Sequence, residues 1–204
     1  DTTYDFIVTR DEASLAKTVE LKAKEEHQST LIWFHGLGDT AESQLKYWSK
    51  TAGNTKRGST GITPANMKVV MPTAPKKKVS ALTPKKMTSW FDIKKIPIAP
   101  KNITLDKDTV TEPLLHSRVD QADLDDSAEM MLTLVEKEVA LLDGDYSKVF
   151  IGGYGEGASV ALAAFLKFKG DKETEKHLGG VLGLNGMQAL NYTKAIKFDD
   201  SKKG

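Results

Sequence analysis

One stretch constrains the fold of this chain more than any other: Lys148-Val149-Phe150-Ile151-Gly152-Gly153-Tyr154-Gly155-Glu156-Gly157-Ala158. An apolar run leads into a turn dense in glycine, and a helix rich in small residues follows from Ala158 to Lys167. That order specifies a strand, a sharp reversal and a helix packed back on the strand. Gly153 and Gly157 stand where strand and helix must approach closely. Gly155, at the apex, carries no side chain.

The rest of the chain extends the same alternation. Tyr4 to Thr9 alternates apolar and polar and predicts a short edge strand. Asp11 to Glu26 is charged, and a helix and a hairpin arm both fit it. Thr30-Leu31-Ile32-Trp33-Phe34 is continuously apolar, as suits a strand covered on both faces of a mostly parallel sheet. After a loop from His35 to Thr40, residues Ala41 to Ala52 predict a helix with Leu45 and Trp48 on one face. Met67 to Met71 reads as a second buried strand. A long Lys/Pro-rich connection occupies residues 73–115, and Trp90-Phe91-Asp92 is its one apolar island. Connections of this length in a compact domain are usually functional. Asp120 to Leu142 predicts the clearest helix, with Leu124, Ala128, Met131, Leu132, Val135, Val139 and Leu142 on one stripe. Gly180 to Leu184 predicts a fourth buried strand. The expected architecture is α/β, with helices on both faces of the sheet. Residues 1–204 are expected to form one domain, with an N-terminal arm over residues 1–28.

Composition narrows the functions available. A net charge of +1 provides no global field for nucleic acid or an acidic membrane. The lysines at 76–78 and at 85 and 86 read as solvated loop residues. With no cysteine, there is no disulfide framework, thiol nucleophile or Cys-ligated zinc, which fits a reducing intracellular compartment such as the cytoplasm or the mitochondrion. The four histidines are scattered without ligand spacing, so no metal is expected. No apolar run approaches the ~18 residues that span a bilayer. The chain opens at Asp1 rather than Met, and its two sequons, at Asn102 and Asn191, are read as chance matches.

Four stretches, in order, resemble the acyl-protein thioesterase and phospholipase/carboxylesterase family of α/β-hydrolases. They are His35-Gly36-Leu37-Gly38-Asp39-Thr40, Pro72-Thr73-Ala74-Pro75, Ser89-Trp90-Phe91-Asp92 and Gly152-Gly153-Tyr154-Gly155-Glu156-Gly157. Each is weak alone; together they cover roughly Thr30 to Gly186. The resemblance makes the Gly153–Gly157 frame a G-x-S-x-G nucleophile elbow. It implies an oxyanion hole from the backbone N–H groups of Leu37 and Glu156, and an acyl groove walled by Trp90 and Phe91. His35, Gly36, Gly38, Asp39, Gly153 and Gly157 would shape the loops around it.

The same resemblance exposes three departures. Gly155 stands where the family presents its serine, so no acyl-enzyme can form there. Ser159 lies about one helical turn further on and does not occupy the apex. The family's order is nucleophile, acid, histidine. Beyond Gly155 there is only His177, placed before the fourth strand, and Asp199 and Asp200 have no histidine after them. The two further strands that carry the family's acid and base are not visible. Losing a triad member typically costs ~10⁴–10⁶ in rate. The expectation is therefore a catalytically inactive relative, needing no cofactor, that serves as a structural or interaction subunit with protein partners in a larger assembly. Two alternatives stand beside it: a non-cleaving module that holds an acyl or lipid ligand, and an active carboxylesterase or thioesterase with its catalytic parts elsewhere. A Gly153-x-Gly155-x-x-Ala158 dinucleotide fingerprint is a weaker reading of the same turn, because no acidic residue ends a strand about 20 residues on.

Overall fold

A computed structural model of the chain describes residues 6–10, 17–45, 48, 63–95, 118–168, 176–187 and 189. Six strands form the main sheet: β1 (Phe6–Arg10), β2 (Lys17–Leu21), β3 (Ser29–Phe34), β4 (Met67–Pro72), β7 (Val149–Tyr154) and β8 (Gly180–Leu184). Their spatial order is β1-β2-β4-β3-β7-β8. The pairs β4/β3, β3/β7 and β7/β8 are parallel, whereas β1/β2 and β2/β4 are antiparallel. Two long helices accompany the sheet, α1 (Gln121–Ala140) and α2 (Glu156–Lys167).

The continuous apolar character of β3 has a direct cause. Ile32 and Phe34 enter one core, with Trp90, α1 and α2. Leu31 and Trp33 enter a second core on the opposite face, against Ala41, Leu45 and Trp48. Both faces of the strand are therefore dry, and polar alternation has no place. The helical turn over residues 41–45 covers that second face, where Trp33 meets Trp48 edge-on at 5.7 Å. The helix α1 starts where the sequence places it: Asp120 caps the first turn by accepting from the Ala122 and Asp123 N–H groups.

Three expectations need correction, and one alternative is settled. Of the two readings of the charged arm, the hairpin arm holds over residues 17–21, which pair antiparallel with β1. It forms β2, which pairs with β4 at Thr18↔Pro72 through Leu21↔Val69 and buries Val19 and Leu21. The 73–115 connection is not a bare loop where it is described. It carries an antiparallel hairpin, β5 (Lys76–Val79) with β6 (Thr83–Thr88), because Lys76, Lys77 and Lys78 pair with Thr88, Met87 and Lys86. Those lysines are thus strand residues, and Lys77 is ion-paired with Asp123 at 3.1 Å. Finally, β8 is not buried. Among the described residues it is an outer strand, with Val181, Leu182 and Leu184 each at least 36% exposed. The sequons and residues 190–204 lie outside the described residues.

Candidate functional site

The turn between β7 and α2 has the strained geometry of a nucleophile elbow. Gly155 adopts φ 57 and ψ −118, a conformation that residues with a Cβ rarely enter. Its neighbours are fixed by contact. A Cβ on Gly153 would lie 2.3 Å from the Gly157 carbonyl carbon, and one on Gly157 would lie 2.1 Å from the Phe34 carbonyl oxygen. Only glycine fits at either. At Gly155 a Cβ would meet nothing closer than the Gly36 Cα at 3.6 Å. The apex therefore has room for a side chain and lacks one. Ser159 offers no substitute, since its hydroxyl donates to the Met187 carbonyl at 2.7 Å and accepts from the Met187 N–H at 3.1 Å.

Facing the elbow is the loop that follows β3. His35 is buried and bound at both ring nitrogens. The Ala74 N–H donates to Nε2 at 2.9 Å, so Nε2 is unprotonated and the proton on Nδ1 donates to the Gly36 carbonyl at 2.7 Å. Burial pulls the imidazole below its ordinary value, outweighing the opposing Gly36 hydrogen bond and Asp39 charge. A neutral ring tied twice to backbone shapes the loop and is not available as a base. Asp39 accepts from the Thr40 N–H at 3.1 Å, from the Ser43 hydroxyl and from the Gln44 amide. Gln44 in turn accepts from the Trp33 indole at 3.2 Å. Gly38 takes φ 75, and its N–H donates to the Thr88 carbonyl at 2.8 Å.

Two sequence expectations fail here. Trp90 and Phe91 do not wall a groove, because both are fully buried. Trp90 stacks on Phe34 at 4.1 Å and its indole donates to the His35 carbonyl at 2.8 Å, so it is a core residue that props the loop from beneath. Glu156 is the second: a carboxylate at a helix start is ordinarily solvent-facing, yet this one is only 3% exposed. Its Oε2 accepts from the Trp90 N–H at 3.0 Å, and both its oxygens lie 3.0 Å from the Ser89 hydroxyl. Burial pushes its carboxyl up to about 7, against the opposing pull of the Trp90 and Ser89 hydrogen bonds and the Lys77 charge.

Between elbow and loop lies a cleft of about 560 Å³, at the carboxyl ends of the strands. Leu37, Gly38, Asp39, Tyr154, Gly155 and Glu156 line it, with Ile93, Asn185 and Met187 across the rim. This is where the chain leaving β3 for β4 and that leaving β7 for β8 diverge, the usual place for a ligand in an open α/β sheet. The Glu156 N–H is the first of α2, and neither it nor the Leu37 N–H has a hydrogen-bond partner among the described residues. Among the described residues no histidine lines the cleft. His177 precedes β8, beside Tyr146 and Ser147, at the far ends of the strands. Tyr154 stands at a variable position of the elbow frame and Asn185 outside every motif, so the sequence assigned neither a role in the cleft. Their hydrogen bond, Asn185 amide to Tyr154 hydroxyl at 3.3 Å, links residues 31 positions apart. Among the described residues no helix is long and apolar enough to cross a membrane.

A mostly parallel sheet flanked by helices, with a glycine-framed elbow opposite a glycine-rich loop, defines an α/β-hydrolase-like protein. Comparison with known proteins agrees. The structure resembles maize (Zea mays) acyl-protein thioesterase 2, with a TM-score of 0.54 and 26% identity over 83% of this chain and 61% of that one. It also shares its fold with Arabidopsis thaliana SOBER1, at a TM-score of 0.57 over 81% and 64% of the two chains. A family model described as Phospholipase/Carboxylesterase matches residues 16–202, and the chain belongs to that family. Curated relatives include acyl-protein thioesterase 1 of Yarrowia lipolytica, 27% identical over 82% of this chain and 61% of the relative. Another is acyl-protein thioesterase 1 homolog 1 of Dictyostelium discoideum, 27% identical over 80% and 59%. The chain thus spans about three-fifths of the length of these relatives.

Proposed function

We propose that this chain is a non-catalytic member of the phospholipase/carboxylesterase family that serves as a structural or interaction subunit. The observation that carries the reading is Gly155. The turn keeps the elbow backbone, the two flanking glycines keep the strand–helix approach, and the apex has no atom to attack a carbonyl. Among the described residues that line the cleft there is also no histidine to serve as its base. The exposed, uncharged β8 supports an interaction role, since such an edge is a template for another strand.

Acyl binding without cleavage is a second reading. The unpaired Leu37 and Glu156 N–H groups favour it, because they suit a carboxylate or carbonyl oxygen. The burial of Trp90 and Phe91 weighs against it, because it removes the apolar wall such a groove would use.

The deciding experiment is a pre-steady-state assay of the full chain with a chromogenic short-chain ester and a thioester, beside the Gly155→Ser variant. Neither protein is expected to show a burst or saturable turnover above buffer. A stoichiometric burst from the unsubstituted chain would overturn the proposal in favour of an active esterase or thioesterase.

A further inference from the structure

The segment Thr88–Trp90 holds both sides of the cleft. On one side the Thr88 carbonyl accepts from the Gly38 N–H at 2.8 Å, and the Thr88 hydroxyl donates to the Asp39 carbonyl at 2.6 Å. On the other, Ser89 and Trp90 meet the Glu156 carboxyl beside the elbow. The hydrogen count at this second grip decides its chemistry. The Ser89 hydroxyl has one hydrogen and two kinds of neighbour. The Phe91 carbonyl lies 2.7 Å away and the Glu156 oxygens 3.0 Å away. Both the Phe91 carbonyl and an ionised Glu156 can only accept, so the single Ser89 hydrogen cannot fully serve both, and a proton on the Glu156 carboxyl resolves the competition. With a proton on Oε1 every atom is matched: Oε1–H donates to Ser89, Ser89 donates to Phe91, and the Trp90 N–H donates to Oε2. Without that proton, two acceptors compete for one hydrogen around a buried charge.

We propose that Glu156 is the neutral carboxylic acid of a proton-operated clasp, whose release of that proton to solvent loosens Thr88–Trp90 and, through it, the Gly36–Asp39 loop. The groups around it act in both directions. Lys77, reaching from β5, favours the charged form, as does the N-terminus of α2. Lys77 is itself engaged by Asp123 of α1 at 3.1 Å and by the Trp90 carbonyl at 3.3 Å, and Asp123 favours the neutral form. His35, at the end of β3, is neutral, and Asp39 is held by its own loop donors. Burial is the largest influence and raises the carboxyl toward neutrality.

The test follows the full chain and its Glu156→Gln and Ser89→Ala variants from about pH 5 to about pH 9. Infrared difference spectra read the carboxylic-acid carbonyl stretch, and hydrogen exchange, corrected for its intrinsic pH dependence, reads the amides of residues 36–39 and 88–91. The expected result is an acid band lost with a single midpoint near neutrality and absent from Glu156→Gln. Exchange at both segments should rise about tenfold or more above that midpoint in the unsubstituted chain and show no such rise in Glu156→Gln. Ser89→Ala should keep an acid band and lose the pH-dependent exchange. The proposal is overturned by the absence of a titrating acid band, by the same exchange rise in Glu156→Gln, or by an undiminished rise in Ser89→Ala.

Discussion

At the scale of single residues, three glycines in one turn are glycine for two different reasons. Gly157 and Gly153 are demanded by contact, since their missing Cβ atoms would sit 2.1 and 2.3 Å from backbone atoms. Backbone cannot step aside as a side chain can, so Gly157→Ala is expected to destabilise by about 3 kcal/mol or to prevent folding. Gly155 is demanded only by its dihedral angles, with a nearest neighbour at 3.6 Å. Gly155→Ala should cost about 1–2 kcal/mol, and the protein should remain folded. Urea denaturation of the two variants checks the order, and equal losses would refute it. The spacing of these glycines was legible in the sequence because it follows from how closely a helix can lie on a strand. The burial of Glu156 was not. A carboxylate at a helix start looks solvent-facing, and only the fold brings Ser89 and Trp90 over it, 67 and 66 residues away.

At the scale of elements, β3, β4, β7 and α1 could be read in advance because each shows a period or a continuous apolar run that matches its burial. The second strand could be read only as one of two alternatives, a hairpin arm or a helix. Lys17–Leu21 alternates charge with apolar residues, and its identity as a strand depends on β4 lying alongside. The expectation fails at β8. Gly180-Val181-Leu182-Gly183-Leu184 has the composition of a buried strand, yet its residues from Val181 to Leu184 are exposed. It carries none of the charges, prolines or bulges that usually blunt an edge. Among the described residues β8 is thus an uncharged edge, which invites pairing, so the chain is expected to associate as its concentration rises. Replacing Leu182 and Leu184 together by Lys should suppress this, because lysine on an edge opposes strand addition at little cost to the fold. Sedimentation velocity checks it. The substituted chain should stay near 22.3 kDa while the unsubstituted one grows heavier. An unsubstituted chain that stays at that mass at every concentration would mean the edge attracts no strand of its own kind.

At the scale of the whole molecule, the two cores and the cleft meet at β3. Its apolar residues hold both faces of the sheet together, and its last residues hand over to His35 and the loop. Two buried titratable groups therefore sit on a shared framework, Glu156 above Trp90 and His35 bonded to that same tryptophan. Their protons push stability in opposite directions. The folded Glu156 carboxyl is raised from 4.5 to about 7, so the folded state binds its proton more tightly than the unfolded chain does. That contribution is complete below about pH 4.5 and is lost as pH rises through about 7, to an upper limit on the order of 3 kcal/mol. The folded His35 is lowered from 6.5, so its contribution is complete above about pH 6.5 and is lost as pH falls below it. Between those limits the two slopes oppose each other, and the unsubstituted chain should show a shallow dependence of unfolding free energy on pH. Glu156→Gln removes one slope while keeping the shape and hydrogen-bonding capacity of the protonated acid. Its stability should then climb as pH rises toward about 6.5, and above pH 7 it should exceed that of the unsubstituted chain. Urea titrations of both proteins at a series of pH values measure this. Parallel profiles would mean that Glu156 is charged in the folded protein throughout, and that the hydrogen bonds around it outweigh the cost of burying the charge.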